Sequence, residues 1–137
     1  MKKILLALDG SAGSKKCMEM CAELAGLYKA SVGLLHVIPL LDENIHYGLP
    51  ESGLSPALEA EAQMILKEAE AFFKKKSIKT SIMIEHGIAG SVIVEKAHGF
   101  DLVVVGSQGK SGVERLFLGS TSEHVVQNCP KPVLVVK

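Results

Sequence analysis

Five short runs of apolar and β-branched residues, at 3–9, 31–38, 80–86, 102–107 and 133–137, recur along the chain with longer amphipathic stretches between them. Strand-length runs alternating with helix-period segments predict βαβ units and a parallel sheet. A first helix is predicted over 14–29, where Cys17, Met20, Cys21, Leu24 and Tyr28 return at three- and four-residue steps, with Gly26 weakening the pattern without breaking it. A second, the longest, is predicted over 55–76. Ser55 is its N-cap, Pro56 stands at the first helical position, and Leu58, Ala62, Ile65, Leu66, Ala69, Phe72 and Phe73 make its apolar face. Shorter helices are predicted over 91–98 and 120–128, the last closed by Pro130.

The runs 4–8 and 102–105 are continuously apolar, as strands covered on both faces are, whereas 80–85 is mixed. Right-handed crossovers then give an α/β, doubly wound parallel sheet of order 3-2-1-4-5 with helices on both faces. The strand order reverses between strands one and four. Ligands of such sheets bind at that reversal, beyond the carboxyl ends of the strands, which here means Asp9 and Gly106. The connection 39–54, with Asp42, Glu43, His46, Gly48, Pro50 and Gly53, is the one long loop, a lid or a disordered segment in most proteins. At 137 residues the chain is expected to be a single domain, 1–137, burying about two thirds of its unfolded surface.

Charge narrows the partners. Lysine plus arginine number 15 and aspartate plus glutamate number 15, so no long-range attraction draws the chain to nucleic acid or an anionic membrane. Tryptophan is absent and the aromatics are few, which removes the stacking platforms of single-strand binders. The apolar start ends at Asp9 and Gly10, too soon for a signal peptide or a membrane span. Cys17, Cys21 and Cys129 are an odd number, which fits reduced thiols and a cytoplasmic location. Cys17 and Cys21 read as small buried apolar residues and not as metal ligands.

Strand four runs straight into Gly106, Ser107, Gln108 and Gly109, and Gly119, Ser120 and Thr121 open the last helix. Glycines let a backbone approach a polyanion, and a helix N-terminus offers free N–H donors and a positive dipole end. Hydroxyls of Ser120 and Thr121 can add donors, and Lys110 or Arg115 can add charge. Taken singly, these residues are equally a turn and a helix cap. Two other nucleotide motifs are excluded. Gly109-Lys110-Ser111 imitates a P-loop ending, but Val104 stands where its first glycine belongs. No G-x-G-x-x-G follows the first strand.

The spacing Gly106, two residues, Gly109, nine residues, Gly119-Ser120 resembles the pattern of ATP-binding universal stress proteins. The opening 4–11, the ending Leu34-Leu35-His36-Val37 and the closing 129–136 resemble that family as well. The resemblance implies a Rossmann-like domain in a cytoplasmic stress-response protein that binds ATP and acts as a nucleotide-dependent switch or chaperone-like module, with slow or no hydrolysis. It implies that Asp9 and the main chain of Val37 meet the adenine and that Gly106 lies by the ribose. Gly109, Gly119, Ser120 and Thr121 would hold the phosphates, with magnesium or manganese accompanying them.

No histidine stands near a serine or cysteine nucleophile in a recognisable elbow. His36 reads as a hydrogen-bonded core residue, His86 and His98 fall near element ends, and His46 with Asp42 and Glu43 reads as a solvated loop. The alternatives are a slow ATPase or phosphotransferase using Asp9, His36 or Lys110, and a nucleotide-free dimeric interaction protein. A homodimer is expected through 132–137, because an apolar strand at a sheet edge invites pairing and relatives in the family commonly dimerise there.

Overall fold

Side-chain parity sets the layers. In β1 (Lys3–Ala7), Ile4 and Leu6 enter one apolar cluster while Leu5 and Ala7 enter another on the opposite face. A strand with both faces apolar needs cover on both, and the chain supplies it. The computed structural model describes residues 1–40, 55–107 and 118–137. It shows a parallel sheet of β1, β2 (Ser31–Ile38), β3 (Thr80–His86), β4 (Leu102–Gly106) and β5 (Val133–Val136), in the order β3-β2-β1-β4-β5. Lys3 pairs with Ser31, Ile4 with Leu102, Val32 with Thr80 and Val103 with Val133, so β1 is central.

Two long helices, α1 (Ser14–Tyr28) and α2 (Pro56–Lys75), cover one face. α1 buries Cys17, Met18, Cys21, Ala22 and Ala25, and closes at Lys29 in the left-handed region with φ 53°. Packing does not require a glycine at Gly26, since an added Cβ there would meet no described atom within 4 Å. α2 is capped as its sequence predicts: Ser55 Oγ accepts from the Leu58 N–H at 3.4 Å, and Ala62, Leu66, Ala69 and Phe73 face inward. Two short helices, α3 (Ala89–Lys96) and α4 (Ser120–Asn128), cover the other face. α3 begins two residues before its expected start at Ser91, since its N-cap is Ile88 and no side chain caps it. A 3-10 turn over Ala97–Gly99 finishes it. None of the described helices is long and apolar enough to cross a membrane.

The apolarity of β5, from which pairing with a second strand is expected above, has a source within the fold. Leu134 and Val136 pack on the α1/α2 cluster, and Val133 and Val135 on the α3/α4 cluster. Its side chains are therefore partly covered by the molecule's own two layers, which accounts for their apolarity. What the edge leaves open is backbone. The carbonyls of Pro132 and Val136 accept from β4-side N–H groups of Val103 and Ser107, so by alternation Val133 and Val135 aim theirs away from β4.

At the amino end of the sheet, the Asp101 carboxylate accepts from the Lys2 and Lys3 N–H groups at 2.8 and 2.9 Å, clamping β1 to the entrance of β4. Those bonds hold its pKa below the ordinary carboxylate value.

Candidate functional site

The carboxyl ends of β1 and β4 point the chain into different layers, and a cleft of about 140 Å³ opens between them. Its space exceeds what a few waters need and is lined from three directions. The β1–α1 turn supplies Asp9, Ser11 and Ser14; β2 and β4 supply Val37 and Gly106; the start of α4 supplies Gly119, Ser120, Thr121 and Ser122. Ala89 and Ile93 of α3 close the side. Six of the seven residues singled out in the sequence, Asp9, Val37, Gly106, Gly119, Ser120 and Thr121, thus meet at one place. Gly109, and with it Lys110 and Arg115, lies outside the described residues, as do Asp42, Glu43 and His46.

Local bonding fixes the walls. The Leu8 N–H donates to the Leu35 carbonyl at 2.9 Å, and the buried His36 Nδ1–H donates to the Leu8 carbonyl at 2.7 Å. His36 is thus the hydrogen-bonded core residue its strand position predicts, and it anchors the backbone that presents Asp9. Asp9 Oδ1 accepts from the Ser11 N–H at 2.9 Å and from Ser14 Oγ–H at 3.5 Å, so the carboxylate shapes the turn that starts α1. On the opposite wall, the N-cap of α4 is Gly119 at φ −61° and ψ 160°, an ordinary extended conformation. Among the described residues no side chain caps this helix, which leaves its first-turn N–H groups facing the cleft for an acceptor.

Hydroxyls and backbone dipoles set the chemistry. Among the described lining residues there is no lysine or arginine, and Asp9 is the one charged group. Positive potential on the described walls therefore comes from helix N-termini: that of α4, and those of α1 and α3, whose first residues Ser14 and Ala89 also line the cleft. Burial, with the Asp9 charge second, pushes the Cys17 thiol up to about 11, and burial with Cys17 pushes Cys21 to about 12. Both thiols stay protonated at neutral pH and serve as apolar filling, as their sequence positions predict. No group of three metal-ligating side chains occurs among the described residues. His86 Nε2–H instead donates to Glu59 at 2.8 Å, joining β3 to the first turn of α2, and His124 packs against Gly90 where α4 meets α3.

Sequence reasoning missed Ser11, Ser14, Cys17 and Ser122 as cleft residues. For Ser122 a signal existed. It stands three residues before Val125, so a polar side chain occupies the buried stripe of α4.

The universal stress protein family model matches residues 1–137. Universal stress protein MJ0531 of Methanocaldococcus jannaschii is 34% identical, over 99% of this chain and 82% of its own length. The solved structure of MJ0577, from the same organism, superposes with a TM-score of 0.86 at 31% identity, covering 99% of this chain and 95% of that one. A universal stress protein of Archaeoglobus fulgidus in complex with dAMP shares the fold, with a TM-score of 0.78 at 20% identity over 100% of this chain and 98% of that one. With a five-stranded sheet of matching architecture and a family pattern running from end to end, the chain belongs to the universal stress protein family.

Proposed function

We propose that this protein binds ATP in the cleft between β1, β4 and the start of α4, and works as a nucleotide-dependent regulatory module of the cytoplasm. The observation that carries the reading is the convergence of Asp9, Val37, Gly106, Gly119, Ser120 and Thr121 on one cavity beside an uncapped helix N-terminus. An adenine seated near Asp9 and Val37 would meet a mixed wall with Ala7 and Leu35 behind it. Phosphates would face the α4 N–H groups and the Ser120 and Thr121 hydroxyls, together with Gly109 of the neighbouring segment. A fold neighbour solved with dAMP supports an adenine nucleotide as the ligand class.

The donor set suits oxyanions, so magnesium or manganese would enter with the phosphates, held by phosphate oxygens and by cleft hydroxyls. His36, hydrogen-bonded to the Leu8 carbonyl, is not among the described residues lining the cleft, and both helix-α1 thiols are protonated, so none of the three stands ready as a base or nucleophile there. Slow or no hydrolysis is the corresponding expectation. Calorimetry with Mg-ATP should give a dissociation constant in the micromolar range, about −8 kcal/mol. Absence of heat and of a thermal shift at millimolar Mg-ATP would refute the proposal.

The module is further proposed to be a homodimer paired through the outward backbone groups of Val133 and Val135. Val135→Pro removes one outward N–H without touching a bond to β4, so the variant should fold and run as a monomer in light scattering. A wild-type monomer at micromolar concentration would end this part of the proposal.

A further inference from the structure

Ser122 is a polar side chain only 2% exposed on the inner face of α4, a position that normally takes an apolar residue. Its hydroxyl lies 3.0 Å from the Gly119 carbonyl and 3.3 Å from the Ser107 carbonyl, and one proton serves both acceptors. The first contact is local to the helix turn. The second spans 15 residues.

Ser107 is the last described residue after β4 before the chain passes to Leu118, and both of its backbone polar groups are held. Its N–H donates to the Val136 carbonyl of β5 at 2.9 Å. Its carbonyl accepts from the Gly119 N–H at 2.8 Å and from Ser122 Oγ–H at 3.3 Å. Both lone pairs of that carbonyl thus point at the start of α4, and the start of α4 is tied through Ser107 to the sheet. Gly106, Gly119, Ser120 and Thr121 flank this junction and line the cleft. Their spacing across the cleft is therefore set by the Ser107, Gly119 and Ser122 bonds.

We infer that Ser122 is a positioning residue for polyanion binding: it locks the first turn of α4 to the end of β4, so that donors from both sides converge on the phosphates. This rests on the nucleotide reading above, and its role is distinct from that of Ser120 and Thr121, which would touch the ligand themselves. Removing the hydroxyl leaves the Ser107 carbonyl with a single donor and lets the helix start drift from Gly106. The loss should fall on the phosphates and spare the nucleoside, whose Asp9 and Val37 wall is anchored separately through Leu8 and His36.

The test measures Mg-ATP by calorimetry, and adenosine, titrated to millimolar, as a competitor of a fluorescent ATP analogue, for wild type, Ser122→Ala, Ser122→Cys and Ser122→Thr. Ser122→Ala should bind ATP about tenfold more weakly, the scale of one buried hydrogen bond, with adenosine changed less than about twofold. Ser122→Cys keeps the side-chain volume with a feeble donor and should match it, which guards against an alanine variant that fails to fold. Ser122→Thr keeps the hydroxyl and should restore ATP binding. Wild-type affinity in both the alanine and cysteine variants would overturn the inference, as would equal losses for ATP and adenosine, the mark of a merely structural role. A wild-type protein that binds no ATP would instead overturn the nucleotide reading itself.

Discussion

The two faces of the sheet are built to different ends. Among the described residues, sixteen buried side chains form the α1/α2 layer, with Phe73 fully enclosed, whereas seven form the α3/α4 layer and the rest of that face is only partly covered. Helix length is the cause. α1 and α2 run 15 and 20 residues, while α3 and α4 run 8 and 9, too short to roof the carboxyl ends of β1 and β4. The uncovered ground is the cleft. A doubly wound sheet can thus divide its labour, one face holding the fold and the other giving up burial for an opening with exposed donors.

The division breaks most visibly at Phe73. Phe73→Ala should cost about 3–5 kcal/mol in denaturant unfolding, because a fully enclosed ring leaves a cavity, while Mg-ATP affinity of the folded fraction stays at the wild-type value. Reduced affinity would show that the two faces are not separable. The converse variant is Gly119→Val. Its backbone angles suit any residue, so valine should fold normally, and the branched side chain should occupy phosphate space and weaken ATP at least a hundredfold, about 3 kcal/mol. Normal binding by Gly119→Val would move the phosphates elsewhere.

Smaller effects sharpen the contrast. At Gly33, an added Cβ would stand 2.5 Å from Phe100 Cζ and 2.6 Å from Cε1, so this glycine of β2 exists to admit an aromatic ring into the thinner layer. Gly33→Ala should cost about 1–2 kcal/mol in thermal or urea unfolding, the usual range for overpacking a site whose neighbour can partly swing aside. An unchanged midpoint would mean that the ring contributes little to that face. Smallest is the Asp101 clamp at the far end of the sheet. Its folded pKa is lowered, so its contribution is present above the unfolded value near about 3.9 and is lost as pH falls through the folded one. The urea-midpoint gap between wild type and Asp101→Asn should therefore close on acidification below that range. A gap independent of pH would remove the carboxylate charge from the explanation.

Much of this was legible in the residues. β2, β3 and α4 coincide with their predicted limits, and α2 with its Ser55 cap, because periodicity and cap chemistry agree there. The start of α3 was misplaced since Ile88 is a silent N-cap, and no side chain announces it. The apolarity of β5 was visible, but its cause was not: Leu134 and Val136 face one layer and Val133 and Val135 the other, a fact of tertiary packing that a run of valines cannot encode. At the site, Asp9 and Gly106 followed from topology alone, and Gly119, Ser120 and Thr121 from helix-start chemistry. Ser122 escaped because what makes it matter is a bond to Ser107 at the end of another element, and Ser14 because its bond to Asp9 depends on how the β1–α1 turn closes.

The Asp101 clamp also says when the cleft comes into being. β1, β2 and β3 pair within the first 86 residues, whereas Lys3 meets Asp101 at a sequence separation of 98. Contacts of such separation are entropically expensive and form late. The cleft has walls on both sides of that junction, so an assembly of the first three strands, however well packed, has no site. A ligand finds nothing to hold until β4 has docked, and its binding energy is expressed almost wholly as a slower unfolding of the finished molecule.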